Sequence, residues 1–342
     1  MNNNETDNRL SSQYIDLLDE RLGGKALSCS DQWFAPCSNL VKAGRGVFKE
    51  GHFVDTGQWM DGWESRRSYG RKRDLDYDWC VLRLGVPGRV VGVDVDTNHF
   101  RGNAPEAISV QAASVQGVVT EDTEWTEILS KSSTEAHSQN LFDVNSKRNW
   151  THLRLCIYPD GGMARFRAYG IPAVDKGQFF LGEPMDLASA RFGGRGLLCS
   201  DMFYSAPSNL LMPTFGKNMG DGWETRRRRD QANDWAIVKL AGVGSIRKVV
   251  IDTAHFKGNF PDRFTLEAVN TDRKDLNAQD IPWQTVVSET PLYADQEHVF
   301  VSEINVPEDA QFTHVRLNIF PDGGVSRLRI FGYPDWETVN VL

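Results

Sequence analysis

Gly62-Trp63-Glu64-Ser65-Arg66-Arg67 leads through a basic turn into Asp78-Trp79, and Gly222-Trp223-Glu224-Thr225-Arg226-Arg227 leads through a second one into Asp234-Trp235. A large ring, a carboxylate and paired guanidiniums thus precede a strand twice in one chain. The strand after each grouping alternates in hydrophobicity with a period of two. Trp79, Val81 and Arg83 lie on one face of the first strand and Cys80, Leu82 and Leu84 on the other, the pattern of a strand with one side in a core. Leu153, Leu155 and Ile157 alternate with His152, Arg154 and Cys156 in the same way, and Ala164, Phe166 and Ala168 with Arg165, Arg167 and Tyr169. Val90 to Val95 is nearly continuous and apolar, as a strand covered on both faces would be. No long stretch has a helical period. The expected fold is all-β, two tandem jelly-roll β-sandwich repeats.

Outward from these strands the duplication holds register. Ser30-Asp31-Gln32-Trp33-Phe34 matches Ser200-Asp201-Met202-Phe203-Tyr204, and Asp96-Thr97-Asn98-His99-Phe100-Arg101-Gly102-Asn103 matches Asp252-Thr253-Ala254-His255-Phe256-Lys257-Gly258-Asn259. Tyr158-Pro159-Asp160-Gly161-Gly162 with Arg165 matches Phe320-Pro321-Asp322-Gly323-Gly324 with Arg327. A period this long is a domain duplication, since solenoid units are far shorter. The boundaries read as a tether over 1–21 with a short helix near 14–22, a first repeat over 22–170, a linker over 171–191 with a short helix at 186–190, and a second repeat over 192–342.

Composition narrows the function. The chain has 342 residues, is 40% hydrophobic and carries a formal net charge of -8. That balance suits a packed globular protein and speaks against a nucleic-acid binder that tracks a phosphate backbone. No apolar run is long enough to span a membrane, and the polar first residues read as neither a signal nor a transit peptide. The cysteines number 5, without the spacing of a disulfide framework. They read as free thiols of a reducing compartment, so a cytoplasmic protein is expected.

Candidate site residues emerge from strand direction. Strand 78–84 joined to strand 90–96 by Gly85-Val86-Pro87-Gly88-Arg89 would run antiparallel to it. The start of one and the end of the other then share a rim with 62–67 and 96–103. The Asp160-Gly161 hairpin turn is taken to join them. That rim would gather Glu64, Arg66, Arg67, Asp96, His99, Asn103, Asp160 and Arg165, and in the second repeat Glu224, Arg226, Arg227, Asp252, His255, Asn259, Asp322 and Arg327. Guanidinium forks suit a carboxylate, and Asp and Asn suit the N–H and C=O groups of an amide or ureido group. Glu64, His99, Glu224 and His255 are the candidates to move a proton. Trp63 and Trp79 read as packing, and Arg71, Lys72, Arg73, Arg228 and Arg229 as solvated charge. A divalent metal at Asp94, Asp96 and His99 stays open, since no firm ligand spacing appears.

On the quoted motifs together, from Leu22 to Tyr333, the sequence resembles the allantoicase family. The resemblance implies galactose-binding-like jelly rolls, a homo-oligomer, and hydrolysis of allantoate to ureidoglycolate and urea in purine breakdown. The second repeat lacks the longer loop of 41–61 and is enriched in arginine at 226–229, so the resemblance does not say whether both repeats act. The alternative from another class is a non-catalytic carbohydrate- or ligand-binding jelly roll.

Overall fold

The computed structural model describes residues 8–342. The chain divides into two compact units, one ending at Ala173 and the other running from Val174 to Leu342. Each is a two-layered antiparallel jelly-roll sandwich, and among the described residues the only helical segments are short 3-10 turns.

In the second unit the two layers are separate sheets. One orders Arg195–Cys199, Asp234–Gly244, Phe312–Phe320, Arg263–Val269 and Gln284–Pro291; the other orders Met185–Asp186, Arg327–Gly332, Lys248–Asp252 and Glu297–Phe300. In the first unit a single 19-residue strand, Asp78–Asp96, serves both layers. Its first half pairs with Lys25–Cys29 and Trp150–Tyr158, and its second half with Arg165–Pro172 and Gln139–Asp143. The hairpin expected at 85–89 is therefore absent, because the two halves do not pair with each other. Backbone crowding accompanies the passage between layers. A Cβ on Gly85 would lie 2.6 Å from the Gly24 nitrogen, and one on Gly88 2.4 Å from the Ile171 carbonyl oxygen, so only glycine fits both places.

The expected consequence nevertheless holds by another route. Ile157 is paired with Asp78 and Arg165 with Asp96. The two ends of the long strand are thereby brought to the two sides of the 159–164 turn. The apolar side of every alternating strand faces inward. Leu82, Leu84, Val93, Val95, Leu153, Leu155, Ile157 and Phe166 are buried, as are Trp63 and Trp150.

The segment expected to be a tether is built into the sandwich instead. Residues 1–7 lie outside the described residues, but Leu10, Leu17 and Leu18 are buried. Where a helix was expected, Ile15–Asp16 is a strand on Arg165–Pro172, followed by a 3-10 turn at Glu20–Leu22. The Asp19 carboxylate caps that turn by accepting from the Arg21 amide at 2.8 Å. The residues expected to be a linker do the same in the second unit. Met185–Asp186 pairs with Arg327–Gly332, a 3-10 turn comes next at Ala190–Phe192, and Leu187 and Ala188 are buried. The duplicated unit thus begins earlier than its glycine pair, at Ile15-Asp16-Leu17 and Met185-Asp186-Leu187. The stretch is too short to show a period, which is why its strand was not legible.

A buried anchor and a solvated tether respond differently to truncation. Leu18→Ala is expected to lower unfolding free energy by about 2–5 kcal/mol, read by urea unfolding; a tether residue would leave the midpoint unmoved.

Candidate active site

Three distant segments are joined by backbone at one rim of the first unit. Trp63–Glu64 pairs with Gly162–Met163, with Glu64 opposite Gly162. The Ser65 amide donates to the Gly161 carbonyl at 3.0 Å, the Gly162 amide to the Asn103 carbonyl at 2.7 Å, and the Ala164 amide to the Asp96 carbonyl at 2.7 Å. Gly161 has a φ of +133°, and a Cβ there would lie 2.7 Å from the Asn103 carbonyl oxygen. Trp63 underlies the junction fully buried, its indole N–H donating to the Asp31 carbonyl at 2.8 Å.

Above this junction sit four polar side chains. The half-buried Glu64 carboxylate accepts from the Asn103 amide at 2.9 Å. Burial raises the Glu64 carboxyl above its ordinary value, against the opposing pull of Asn103 and Arg67. Arg67 donates to Asp160 at 3.1 Å and to the Gly102 carbonyl at 3.0 Å while its side chain stays 55% exposed, so donor capacity is left for a ligand. The other Asp160 oxygen accepts from the Ser68 amide at 2.5 Å. Burial opposes ionisation of Asp160, but Ser68 and Arg67 outweigh it and hold the carboxyl below its usual range. Arg67, Gly102, Glu106 and Asp160 help line a cleft of about 450 Å³.

The second unit repeats the core of this arrangement. Glu224 pairs across to Gly324 and accepts from Asn259 at 2.6 Å. Asp322 accepts from the Arg228 amide at 2.8 Å, in the place of Ser68. Arg227 is exposed and makes no hydrogen bond or ion pair among the described residues.

Other expected site residues lie elsewhere or are already engaged. Arg66 grips Asp31 through its amide at 2.8 Å, its Nε at 2.8 Å and its Nη2 at 2.6 Å, and lies over the Trp33 ring. Arg226 does the same with Asp201 and Phe203. Of the first pair, Arg67 lines the cleft beside Asp160. Arg165, expected to bind a carboxylate, is instead 3% exposed and engaged by protein: Asp61 Oδ2 at 2.7 Å, the Asp61 and Ala164 carbonyls, and the Gly44 carbonyl. Arg327 is clamped alike by Asp221, Ser326 and Thr214. Asp96 gives both oxygens to Arg45 at 2.9 Å. Buried Asp252 accepts from the Ala254 amide at 2.8 Å.

His99 and His255 occupy left-handed backbone, φ 70° and 74°. His99 stacks on Phe48 and tilts against His137, and burial, reinforced by His137, lowers its pKa. His255 bonds the Gly216 carbonyl at 2.8 Å. Neither ring is hydrogen-bonded to Glu64, Asn103, Glu224 or Asn259 among the described residues. Among those residues, too, no group of three or more His, Cys, Asp or Glu gathers as a metal site.

Three arginines expected to be solvated are not. Arg73 is 20% exposed, donates to the Pro159 carbonyl and lies 3.8 Å from Asp78. Arg71 is 15% exposed and pairs with Asp31 at 3.3 Å and with Asp78, and Arg228 pairs with Asp234 at 2.7 Å and Asp230 at 2.9 Å. Asp31 and Asp201, which anchor the first arginine of each pair, are residues that strand direction alone does not single out. Their recurrence after serine in both copies was the available signal.

A model of the allantoicase repeat matches residues 15–173 and again 185–335. The chain belongs to the allantoicase family. It is 47% identical over 325 residues to a probable allantoicase of Pseudomonas aeruginosa, covering 94% of this chain and 96% of that one. A probable allantoicase of Photobacterium profundum is 47% identical over 326 residues, covering 94% and 97%. The crystal structure of allantoicase from Saccharomyces cerevisiae superposes with a TM-score of 0.81 at 34% identity, covering 95% of each chain. The allantoicase relationship favours a hydrolase over the non-catalytic binding module.

If Arg165 is a clamp in this allantoicase fold, Arg165→Met is expected to destabilise the protein by about 3–5 kcal/mol, the cost of stranding a buried partner charge. Asp61→Asn and the double variant complete the cycle, each measured by thermal unfolding. A purely ligand-binding arginine would leave the melting temperature unchanged and raise KM.

Proposed function

We propose that the chain hydrolyses allantoate to ureidoglycolate and urea at the rim built by Glu64, Asn103, Arg67 and Asp160, and at its counterpart around Glu224 and Asn259. The observation that carries this reading is the Glu–Asn pair present in both units, with Arg67 close to it in the first. Allantoate bears a carboxylate and two ureido groups on one carbon. Arg67 would take the carboxylate, its guanidinium already oriented by Asp160 and Gly102. Asn103 would hold a ureido group with the hydrogen-bonding capacity its contact with Glu64 leaves.

Glu64 is then the proton carrier. In its acid form it protonates the nitrogen of the departing ureido group as the C–N bond breaks, releasing urea. Water adds its oxygen to the same carbon and returns a proton to the Glu64 carboxylate, which completes hydrolysis with no net proton change. Partial burial suits the role, because a carboxyl pushed upward keeps its proton to higher pH than an exposed one. His99 and His255 are left with the shaping of the adjoining loops. The free thiols suit a reducing cytoplasm, and the homo-oligomer that the resemblance implies is measured by light scattering on the purified protein.

Glu64→Gln and Glu224→Gln, singly and together, are expected to lower kcat for urea release, the double variant by about 10²-fold or more; unchanged turnover in the double variant removes glutamate from the chemistry. Arg67→Ala in the Glu224→Gln background should raise KM more than it lowers kcat. In that same background the rate should fall as pH rises through the Glu64 pKa, because the acid form donates. A rate that instead rises through that pKa makes Glu64 the base.

A further inference from the structure

Away from the rim, the second unit sets three basic side chains in a row across one sheet. Arg195 is paired with Lys239, and Lys239 with His314, on three neighbouring strands. Directly opposed residues share a face of the sheet, and like charges so placed cost stability. The middle strand begins at the rim with Asp234, and Lys239 lies about 17 Å further along it. A groove of about 410 Å³ is lined by all three residues together with Thr271, Asp272, Arg273 and Lys274. The loop that carries these last four is tied to the row. The Thr271 amide donates to the Thr313 hydroxyl at 2.9 Å, and that hydroxyl bonds His314 Nδ1 at 2.8 Å. Arg273 is paired with Asp280 at 2.8 Å. Lys239 and Lys274 are exposed and make no hydrogen bond or ion pair among the described residues, and Asp272 makes no ion pair there either. Burial, reinforced by Lys239 and Arg195, pushes the His314 imidazole down to about 4.

The first unit has the row without the basic loop. Lys25, Arg83 and His152 are paired in the same way, and Thr151 again accepts from a loop amide, that of Val115, at 2.8 Å. The loop there reads Val115-Gln116-Gly117-Val118-Val119, without charge, where the second unit has Thr271-Asp272-Arg273-Lys274. We propose that the groove of the second unit is a binding site for a small, multiply charged phosphoryl anion, held between Lys239 and Lys274 with Arg195 beside them. The lysines act as point charges and the guanidinium as a planar fork, and the Thr271 hydroxyl is placed to donate as well. A single carboxylate would leave most of this charge unmatched, so the ligand is distinct from a monoanion such as allantoate. Leu198 and Leu276 add apolar surface to the groove. The same phosphoryl chemistry therefore arrives either as a free inorganic anion or as an ester whose organic part lies on the leucines.

Calorimetric titration of the full-length protein at constant ionic strength tests this, with pyrophosphate, adenosine monophosphate and acetate as the probes. Both phosphoryl anions are expected to bind more tightly than acetate. Lys239→Gln and Lys274→Gln should each weaken them by about tenfold, the loss of one charged hydrogen bond, while Arg67→Ala leaves them unchanged. Thermal unfolding separates lost binding from lost folding. Without phosphate, Lys239→Gln should melt no lower than the parent protein, because it relieves the row, yet it should lose the rise in Tm that pyrophosphate gives the parent. Tighter binding of pyrophosphate assigns the groove to the free anion, and tighter binding of adenosine monophosphate assigns it to an ester. If acetate binds as well as either, if both lysine variants keep the parent affinity, or if Arg67→Ala abolishes binding, the assignment is wrong.

Discussion

The passage of the chain from one layer to the other, made by one strand in the first unit and by two in the second, is the constraint on which the site depends. Asp78–Asp96 leaves the sheet of Trp150–Tyr158 and enters that of Arg165–Pro172. Because those two partners flank the 159–164 turn, both ends of the long strand are drawn to it. Side chains from segments remote in sequence then face one cleft without any helix or hinge to bring them together. The glycines at the crossing permit the close backbone approach this needs. A bulkier residue there would disturb the register of both layers, and with it the relation of Glu64 to Asn103.

Buried charge then divides the arginines by task. Arg165 and Arg71 are desolvated and must be matched on several sides, which ties loops 41–61 and 71–78 down to the sandwich. Arg66 holds the segment that begins at Asp31. Arg67, one residue on, is also paired with a carboxylate, Asp160, but at the longer 3.1 Å against 2.6 Å for Arg66 and Asp31. Arg227 is exposed and has no ion pair among the described residues.

Much of the fold was legible because period-two patterns report burial directly. The repeat and the strands come from alternation and turn chemistry; the meeting of 62–67 and 96–103 was expected from a hairpin at 85–89 that is a continuous strand instead, and the place of 159–162 was an assumption. The illegible part depends on where a side chain ends. Sequence shows Arg165 and Arg327 in matching strands of the two copies, but not that Asp61, from a remote loop, reaches Arg165. Nor does alternation distinguish a hairpin from a strand that changes sheets, since both need glycine and proline at the same place. Ile15–Asp16 was missed because two residues carry no period, and Leu17 and Leu18 beside them could as readily belong to a helix.

The two units therefore keep the same Glu–Asn pair while differing in what holds the arginine beside it. In the first, Ser68 supplies its amide to Asp160, and Arg67 donates to the other oxygen of that carboxylate. In the second, Arg228 supplies its amide to Asp322 and sends its guanidinium to Asp234 and Asp230. That places in one residue two tasks that Ser68 and Arg71 share in the first unit. Arg227 has no ion pair among the described residues. An oriented arginine loses less freedom on meeting a carboxylate than a mobile one, whereas an unpaired one gives up no existing partner. The two rims thus differ in the entropy and the exchange of partners that binding entails, although the proton-carrying pair is common to both. Any difference in turnover between them should then arise at the binding step before it arises at the chemistry.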